Sequence, residues 1–170
     1  MRVWAHCYEL DTVVLRYFNV FGPRQNAESA YAAVIAAFAS AIVEGRDVTI
    51  IGDGEQSRDF TFVDNVVHAN LLAARHSGYL DGEVINIAMG GRITVNELFQ
   101  TMKRHAPSTN IGCAHVAERA GDVRHSQADV TKARQLLAYE PLIDFESGLA
   151  ATYQSYSRGE ISSVSRSGSN

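Results

Sequence analysis

An apolar run that ends in a polar amide and a turn constrains this chain more than any other stretch. Residues 13–15 are consecutive aliphatic residues, a pattern typical of a buried strand. Asn19 follows where that strand would end, and Gly22-Pro23 then marks a turn. Ligands of open α/β sheets collect beyond the carboxyl ends of the strands. The stretch therefore predicts a ligand-facing loop with Asn19 as its polar group, and a simple turn asparagine is the alternative.

Strand and helix patterns alternate along the whole chain, which is typical of an α/β fold. The further segments rich in β-branched or alternating residues, each a predicted strand, are 48–51, 58–63 and 83–87. The segments with helical apolar spacing, each a predicted helix, are 1–9, 30–45, 64–75, one beginning after Thr94, 129–138 and 145–156. The segments predicted as turn or irregular chain are 52–54, 107–112 and 116–126.

Capping residues and apolar spacing predict where the helices begin and which faces they bury. The residues expected to cap helices are Ser29, Asp64, Thr94 and Asp129, and Gly45 is expected to end the second helix. Thr94 and Glu97 have the spacing of a capping box. The residues expected on apolar faces are Val3, Cys7, Leu10, Val34, Ile35, Phe38, Ile42, Val67, Leu71, Leu72, Leu98 and Met102.

Composition predicts one folded domain over residues 1–160 and a disordered, low-complexity tail over 161–170. The net charge of −4 gives no general attraction to nucleic acid or to an anionic membrane. An anionic ligand would therefore be held by a few placed arginines. The two cysteines do not make a disulfide framework, and no apolar run approaches the ~20 residues of a spanning helix. We expect a cytoplasmic protein.

The six histidines are scattered and show no pair at the i, i+4 spacing of a metal site. No Gly-x-Ser-x-Gly elbow and no Ser-His-Asp order occurs either. The sequence therefore indicates neither a metal ion nor a hydrolase triad.

Five sequence blocks together resemble one known family. They are 14–25, Tyr31-Ala-Ala-Val-Ile35, Gly52-Asp-Gly-Glu-Gln-Ser-Arg-Asp-Phe60, Asn86-Ile-Ala and Arg119-Ala-Gly-Asp-Val-Arg-His-Ser126. They resemble the NAD-dependent nucleotide-sugar epimerases and dehydratases of the extended short-chain dehydrogenase/reductase superfamily, and are most similar to the UDP-N-acetylglucosamine 4-epimerase branch. The resemblance implies a partial Rossmann-like fold: the C-terminal, substrate-binding portion, with the N-terminal dinucleotide-binding half missing.

Catalytic residues of that family are not found in this sequence. Neither lysine, Lys103 or Lys132, has a tyrosine four residues earlier, so the Tyr-x-x-x-Lys motif is absent. The glycine-rich NAD loop is absent too, since neither Gly52/Gly54 nor Gly90/Gly91 precedes a helix at the right spacing. The full-length family uses NAD to oxidise C4 of a UDP-hexose and return the hydride to the other face. We expect this chain to be inactive alone and not to hold NAD tightly.

The resemblance implies roles for particular residues. Asn19 would lie near the substrate diphosphate, Arg58 and Arg119 would grip it, and Asp122 would hold a ribose hydroxyl. Ser126 would stand beside the sugar ring and leave room for an N-acetyl group. The residues expected around the uracil and ribose are Ala33, Val34, Phe38, Thr49 and Ile51, and Phe18 would lie on the cofactor side.

Simpler interpretations compete with these roles. Arg58 could form a surface ion pair with Asp53, Glu55 or Asp59, and Ser126 could be an ordinary loop serine. The five residues around the uracil and ribose could simply pack the core. Two alanines, Ala36 and Ala120, stand where the family usually has proline.

Two alternative functions remain open, and the missing half of the fold suggests a protein partner. The chain could be a non-catalytic nucleotide-sugar binding module, or part of a nucleotide-sugar dehydratase. A parallel sheet that lacks its first strands would expose an apolar edge. We therefore expect a UDP-sugar as ligand, and an NAD-binding half or a second copy as protein partner.

Overall fold

The computed structural model describes residues 2–27, 34–106, 110–118 and 121–159. The helices are α1 (Arg2–Tyr8), α2 (Val34–Val43), α3 (Val63–Ala74), α4 (Val95–His105), α5 (Thr131–Leu137) and α6 (Phe145–Ser157). The strands are β1 (Val13–Tyr17), β2 (Val20–Phe21), β3 (Val48–Ile51), β4 (Ser57–Arg58), β5 (Thr61–Phe62), β6 (Glu83–Ile87), β7 (Ile93–Thr94) and β8 (Cys113–Val116). The predicted α/β alternation is confirmed.

The strands pair two by two. β1 and β6 are parallel, in register from Val13 opposite Glu83 to Tyr17 opposite Ile87. β2 pairs with β5 and β3 with β8, both parallel, while β4 and β7 are antiparallel. Within the described residues, β6 is the one strand that pairs with β1.

The larger hydrophobic core lies between α2, α4 and α6. Leu98 and Met102 of α4 are fully buried there, as their helical spacing predicts. Thr94 and Glu97 form the predicted capping box, which fixes the start of α4. Phe21 packs edge-on against Phe62, with 5.6 Å between ring centroids, and so joins the β2–β5 pair to this core.

A second core lies between the β1–β6 pair and helices α3 and α5. Ile85 and Ile87 of β6 are fully buried there against Ala69 of α3 and Ala133 of α5. Only the alternate side chains of β6 are buried, so this pair is covered on one face. The predicted strand at residues 13–15 is confirmed as part of β1, but these three residues are half-buried rather than fully buried.

The predicted inward faces of α1 and part of α3 are wrong. Val3, Cys7 and Leu10 are exposed, whereas Ala5 of α1 is buried. The residues Val67 and Leu71 of α3 are about half exposed, whereas Leu72 packs against the second core as predicted.

The polar residue Asn65, rather than Val67 or Leu71, lies on the buried side of α3. Its Oδ1 accepts hydrogen bonds from the backbone N–H groups of Leu142 and Ile143, at 2.8 and 3.0 Å. Its Nδ2 donates to the carbonyl of Ile143 at 2.7 Å. Because these bonds satisfy a fully buried amide, Asn65 takes the inward position that apolar spacing assigned to its neighbours.

Several predicted boundaries also change. The predicted strand 58–63 is two short strands, β4 and β5, and α3 begins already at Val63 with no side-chain cap from Asp64. The predicted irregular segment 116–126 follows a strand, β8, that was missed. Asp129 accepts from the Thr131 N–H at 2.9 Å, one residue ahead of the N-cap. Ser29 and the tail 161–170 lie outside the described residues.

Of the helices in the described ranges, none is long and apolar enough to cross a lipid bilayer.

Candidate functional site

A small cleft opens between the end of β3, the turn that follows it, Glu118 and the segment 121–126. Its volume is about 50 Å³. The residues that line it are Ile51, Gln56, Glu118, Asp122, Val123 and Arg124. Two of these, Ile51 and Asp122, are predicted site residues, so segments about 70 positions apart in sequence meet here.

The turn at 52–54 shapes one wall of the cleft. Gly54 has a φ of +79°, and a Cβ placed there would lie 2.1 Å from Oδ1 of Asn96, so any other residue would be strained and would displace the Asn96 side chain. Gln56 donates from Nε2 to the carbonyl of Ile51 at 2.6 Å and closes the turn onto the strand. The wall is thus held by its own hydrogen bonds.

Arg58 lies at the edge of the cleft and is paired with Asp122. Its Nη2 donates to Oδ1 of Asp122 at 2.6 Å, and its Nη1 donates to the carbonyl of Ser57 at 2.9 Å. Nη1 also reaches the carbonyl of Arg124 at 3.4 Å. The structure therefore brings together two predicted site residues, and the ion-pair partner of Arg58 is Asp122 rather than the acidic residues near it in sequence.

A further arginine, Arg124, was missed by the sequence reasoning. Its Nη1 and Nη2 donate to Oδ1 and Oδ2 of Asp53 at 2.9 and 2.7 Å. Glu118 lies 3.5 Å from the same guanidinium. The bond from Arg124 lowers the pKa of the Asp53 carboxyl, and the bond to Asp53 raises the pKa of Arg124. This pair fastens the segment 121–126 to the turn after β3.

The loop is also joined to β4 by main-chain bonds. Ser57 N–H donates to the Arg124 carbonyl at 2.9 Å, and Ser126 N–H donates to the Ser57 carbonyl at 3.0 Å. The hydroxyl of the buried Ser57 lies 2.8 Å from Nδ1 of His125. Ser126 is half-buried and sits beside this junction, so its position relative to Arg58 is fixed through Ser57.

Asn19 lies at the predicted place, between β1 and β2, with a φ of +36°. Its Nδ2 donates to the carbonyl of Asp59 at 3.1 Å, and its own carbonyl accepts from the Thr61 N–H at 3.2 Å. Asn19 is exposed and is not among the residues lining the cleft. Its observed bonds hold the chain next to Arg58 in place.

The buried carboxylate of Asp59 connects three loops. It accepts hydrogen bonds from the backbone N–H groups of Met89 and Gly90, each at 3.0 Å, and of Ala128 at 3.2 Å. Burial raises the pKa of Asp59, and these three donors oppose that rise by stabilising the charged form. The side chain of Asp59 therefore binds main-chain groups in the interior, whereas the side chain of its neighbour Arg58 lies at the cleft.

The residues expected around the base divide between cleft and core. Ile51 lines the cleft, and Thr49 is exposed on β3 opposite Ala114 of β8. Phe38 is buried in the larger core, edge-on to Phe99 with 6.2 Å between centroids. Val34 is half-buried at the first position of α2. Ala33 and Arg119 lie outside the described residues.

The expected cofactor residue, Phe18, packs within the protein. Its side chain packs against Ala88, Ala128 and Val130, and its N–H donates to the Ile87 carbonyl at 3.2 Å. Its role on the cofactor side stays a prediction. No group of three metal-ligating side chains occurs within the described ranges.

The sequence of this chain is similar to known proteins over most of its length. The model of the NAD dependent epimerase/dehydratase family matches residues 1–88. A UDP-glucose 4-epimerase of Mycolicibacterium smegmatis is 32% identical over 154 residues, covering 91% of this chain and 48% of that protein. The chain thus spans about half the length of the curated relatives that it matches.

Solved structures agree with the sequence comparison. A UDP-glucose 4-epimerase of Thermotoga maritima with UDP-glucose has a TM-score of 0.84 and 41% identity, covering 92% of this chain and 49% of that one. A UDP-N-acetylglucosamine 4-epimerase of Methanobrevibacter ruminantium, in complex with UDP-N-acetylmuramic acid, has the same TM-score and identity, covering 93% and 50%.

Proposed function

Because this chain belongs to the NAD dependent epimerase/dehydratase family, we propose that it binds the UDP-sugar of a UDP-hexose 4-epimerase. The preferred ligands are UDP-N-acetylglucosamine and UDP-glucose. The observation that carries the proposal is the Arg58–Asp122 pair at the edge of the cleft, at 2.6 Å.

Arg58 is well placed for a diphosphate. Its side chain is only 19% exposed, so its stem is fixed and the guanidinium reaches the cleft from a short strand. A planar guanidinium can donate two parallel hydrogen bonds to phosphate oxygens, which a lysine ammonium cannot. Arg119, three residues before Asp122 in the sequence, is proposed as the second diphosphate contact.

The remaining proposed contacts are to the ribose, the diphosphate, the base and the sugar of the ligand. Asp122, a carboxylate beside Arg58, would accept from a ribose hydroxyl, and Asn19 would lie near the diphosphate. Ile51 and Thr49 of β3 would border the base and ribose, together with Ala33, Val34 and Phe38. Ser126 is small and half-buried, which leaves room for an N-acetyl group on the sugar.

NAD would supply the redox chemistry of an epimerase, oxidation at C4 and return of the hydride. The described residues of this chain offer the substrate contacts, and Phe18 packs in an apolar cluster. We therefore propose that this chain binds the nucleotide-sugar but does not interconvert epimers by itself. We also place it in the cytoplasm, where its two exposed free cysteines would stay reduced.

A protein partner is proposed for β1. Parallel sheets are normally covered on both faces and extended by further strands. β1 pairs with β6 alone within the described residues, and exposed apolar side chains lie on α1, among them Trp4 at 53% and Tyr8 at 66%. An NAD-binding half, in the same or another polypeptide, would add a strand to β1. Pairing of two copies through β1 is the alternative.

Calorimetric titration with UDP-N-acetylglucosamine, UDP and NAD tests the proposal. We expect binding of the first two, and a loss of at least about tenfold in affinity in Arg58→Ala, because a charged hydrogen bond to the ligand contributes about 1.5–3 kcal/mol. The affinity of Arg58→Lys should lie between those of wild type and Arg58→Ala. Arg46→Ala is the matched control, since Arg46 is an exposed arginine that pairs with Glu44 away from the cleft.

Two results would contradict the proposal. Binding of neither UDP nor UDP-N-acetylglucosamine would refute a nucleotide-sugar site on this chain. Interconversion at C4, with NAD added to this chain alone, would refute the statement that it does not epimerise by itself.

A further inference from the structure

We infer that Cys113 and His115 form a binding site for one soft monovalent metal ion, Cu(I), on strand β8. Both side chains are exposed to solvent. The inference rests on these two residues and on the turn at Gly52 that orients His115. It does not depend on the proposed nucleotide-sugar function.

The geometry of β8 places two metal-binding atoms side by side. Cys113 and His115 are two positions apart on the strand, so their side chains project from the same face. The Sγ of Cys113 lies 4.0 Å from Nε2 of His115. Metal bonds to thiolate sulfur and imidazole nitrogen are about 2.3 and 2.0 Å long, so one ion can bridge atoms up to about 4.3 Å apart. A single ion can therefore bind both atoms without any movement of the strand.

A hydrogen bond to the turn after β3 orients the imidazole for this role. Nδ1 of His115 lies 2.8 Å from the carbonyl oxygen of Gly52. Because a carbonyl only accepts, Nδ1 carries the proton, and the lone pair of the neutral ring lies on Nε2, which faces Cys113. Gly52 is held in turn, since its N–H donates to the Val116 carbonyl of β8 at 2.8 Å. Metal-binding histidines commonly donate their other N–H to a backbone carbonyl, which fixes the ring and its tautomer.

The donor set favours Cu(I) over divalent metal ions. Thiolate sulfur with imidazole nitrogen suits copper and zinc, whereas calcium and magnesium take oxygen ligands. Structural zinc is held by four protein ligands, and no group of three metal-ligating side chains occurs in the described parts of the chain. The separation of 4.0 Å also exceeds the roughly 3.5 Å between sulfur and nitrogen ligands of a tetrahedral ion. Two soft ligands at an open angle match the low coordination number of Cu(I).

Binding exchanges one proton for one cation. The thiol of Cys113 releases its proton to solvent when sulfur bonds to the metal, because the thiolate is the form that binds metal ions. The charges of the thiolate and of Cu(I) then cancel, and the neutral ring of His115 adds none. Copper enters and stays as Cu(I), so no electron is transferred.

Competition with bicinchoninate, a chelator that forms a coloured Cu(I) complex, tests the inference under anaerobic conditions with ascorbate as reductant. We expect wild type to withdraw Cu(I) from the coloured complex. Cys113→Ser and His115→Ala should each bind Cu(I) at least about tenfold more weakly, because each variant removes one of the two ligands. Cys7→Ser is the matched control, since it removes the other exposed thiol and should leave the affinity unchanged.

The histidine variant separates a paired site from a single accessible thiol. If His115→Ala binds Cu(I) as tightly as wild type, a thiol alone accounts for the binding and the inference is overturned. Wild-type affinity in Cys113→Ser, or failure of wild type to take Cu(I) from the chelator, overturns it as well. A circular dichroism spectrum equal to that of wild type shows that each variant is folded.

Alkylation of the wild-type protein tests the same site without any substitution. Bound Cu(I) should prevent iodoacetamide from modifying Cys113 while Cys7 still reacts, as mass spectrometry of the peptides would show. One equivalent of Zn(II) should protect Cys113 much less, because two protein ligands are too few for a stable zinc site. Equal protection of the two cysteines by Cu(I), or equal protection of Cys113 by Zn(II), would contradict a Cu(I) site on β8.

Discussion

Arg124 donates to both carboxylate oxygens of Asp53, at 2.9 and 2.7 Å, and so joins the two walls of the cleft. One wall is the turn after β3, and the other is the loop that carries Asp122. The loop is further attached to β4 through Ser57. We therefore expect the distance between Arg58 and Asp122 to depend in part on a second ion pair that includes neither residue.

Removal of this second pair should weaken ligand binding indirectly. In Arg124→Ala we expect UDP affinity to fall at least about threefold, since coupled neighbours change each other's energetics by measurable amounts. Arg134→Ala is the control, because Arg134 forms an exposed ion pair with Glu140 at a similar exposure. Calorimetry measures both, and equal affinities in Arg124→Ala and wild type would show that the loop is held without Arg124.

The contribution of the Arg124–Asp53 ion pair to the stability of the fold should change with pH only in acid. The bond from Arg124 lowers the pKa of Asp53 from its usual value of 3.8, so the folded-state pKa lies below the unfolded one. Such a carboxylate stabilises the fold above the unfolded pKa, and the contribution is lost as the pH falls through the folded pKa. The thermal midpoint difference between wild type and Asp53→Asn should be constant above about pH 5 and disappear in stronger acid.

Scanning fluorimetry from acid to neutral pH checks this expectation. A difference that closes between about pH 6 and 7 would contradict the assignment of this effect to Asp53.

Two substitutions of Asn19 separate its structural and ligand roles. Asn19→Gly removes the bond to Asp59 but suits the positive φ, so we expect a stability loss of about 1 kcal/mol. Asn19→Asp also loses that donor and adds a negative charge near the proposed diphosphate. UDP affinity should therefore fall further in Asn19→Asp than in Asn19→Gly, and equal losses in the two variants would assign Asn19 to structure alone.

Gly148 in α6 should not tolerate a methyl group. A Cβ there would lie 2.8 Å from the ring of Phe62, which is itself buried against Phe21. Alanine normally stabilises a helix relative to glycine by about 1 kcal/mol, but here overpacking costs about 1–3 kcal/mol. Denaturant unfolding of Gly148→Ala should show a net loss, whereas Gly91→Ala, where nothing lies within 4 Å, should be near neutral.

Features that depend on nearby residues were predicted well from sequence. The capping box of Thr94 and Glu97 and the buried positions Leu98 and Met102 are confirmed, because helix geometry alone determines them. The family resemblance, the α/β class and the UDP-sugar epimerase relatives are confirmed as well. The assigned roles of individual site residues stay predictions.

Features that depend on distant partners were missed. All four residues of β8 are exposed, so no apolar pattern marks this strand, which exists because β3 pairs with it. The orientation of α3 depends on Asn65 meeting a backbone segment near residue 142. Arg124 lies within residues 119–126, one of the five stretches that resemble the family. Its partner Asp53 is 71 positions away, however, and no local sequence pattern indicates that pairing.

The carboxylate of Asp59 has a consequence for how the protein exchanges its amide hydrogens. The N–H groups of Met89, Gly90 and Ala128 all bond to this one side chain, although they belong to two separate loops. None of these hydrogens can reach solvent while the carboxylate stays in place, so a single opening event around Asp59 releases all three. The loop after β6 and the loop before α5 should therefore behave as one cooperative unit, with a common protection factor.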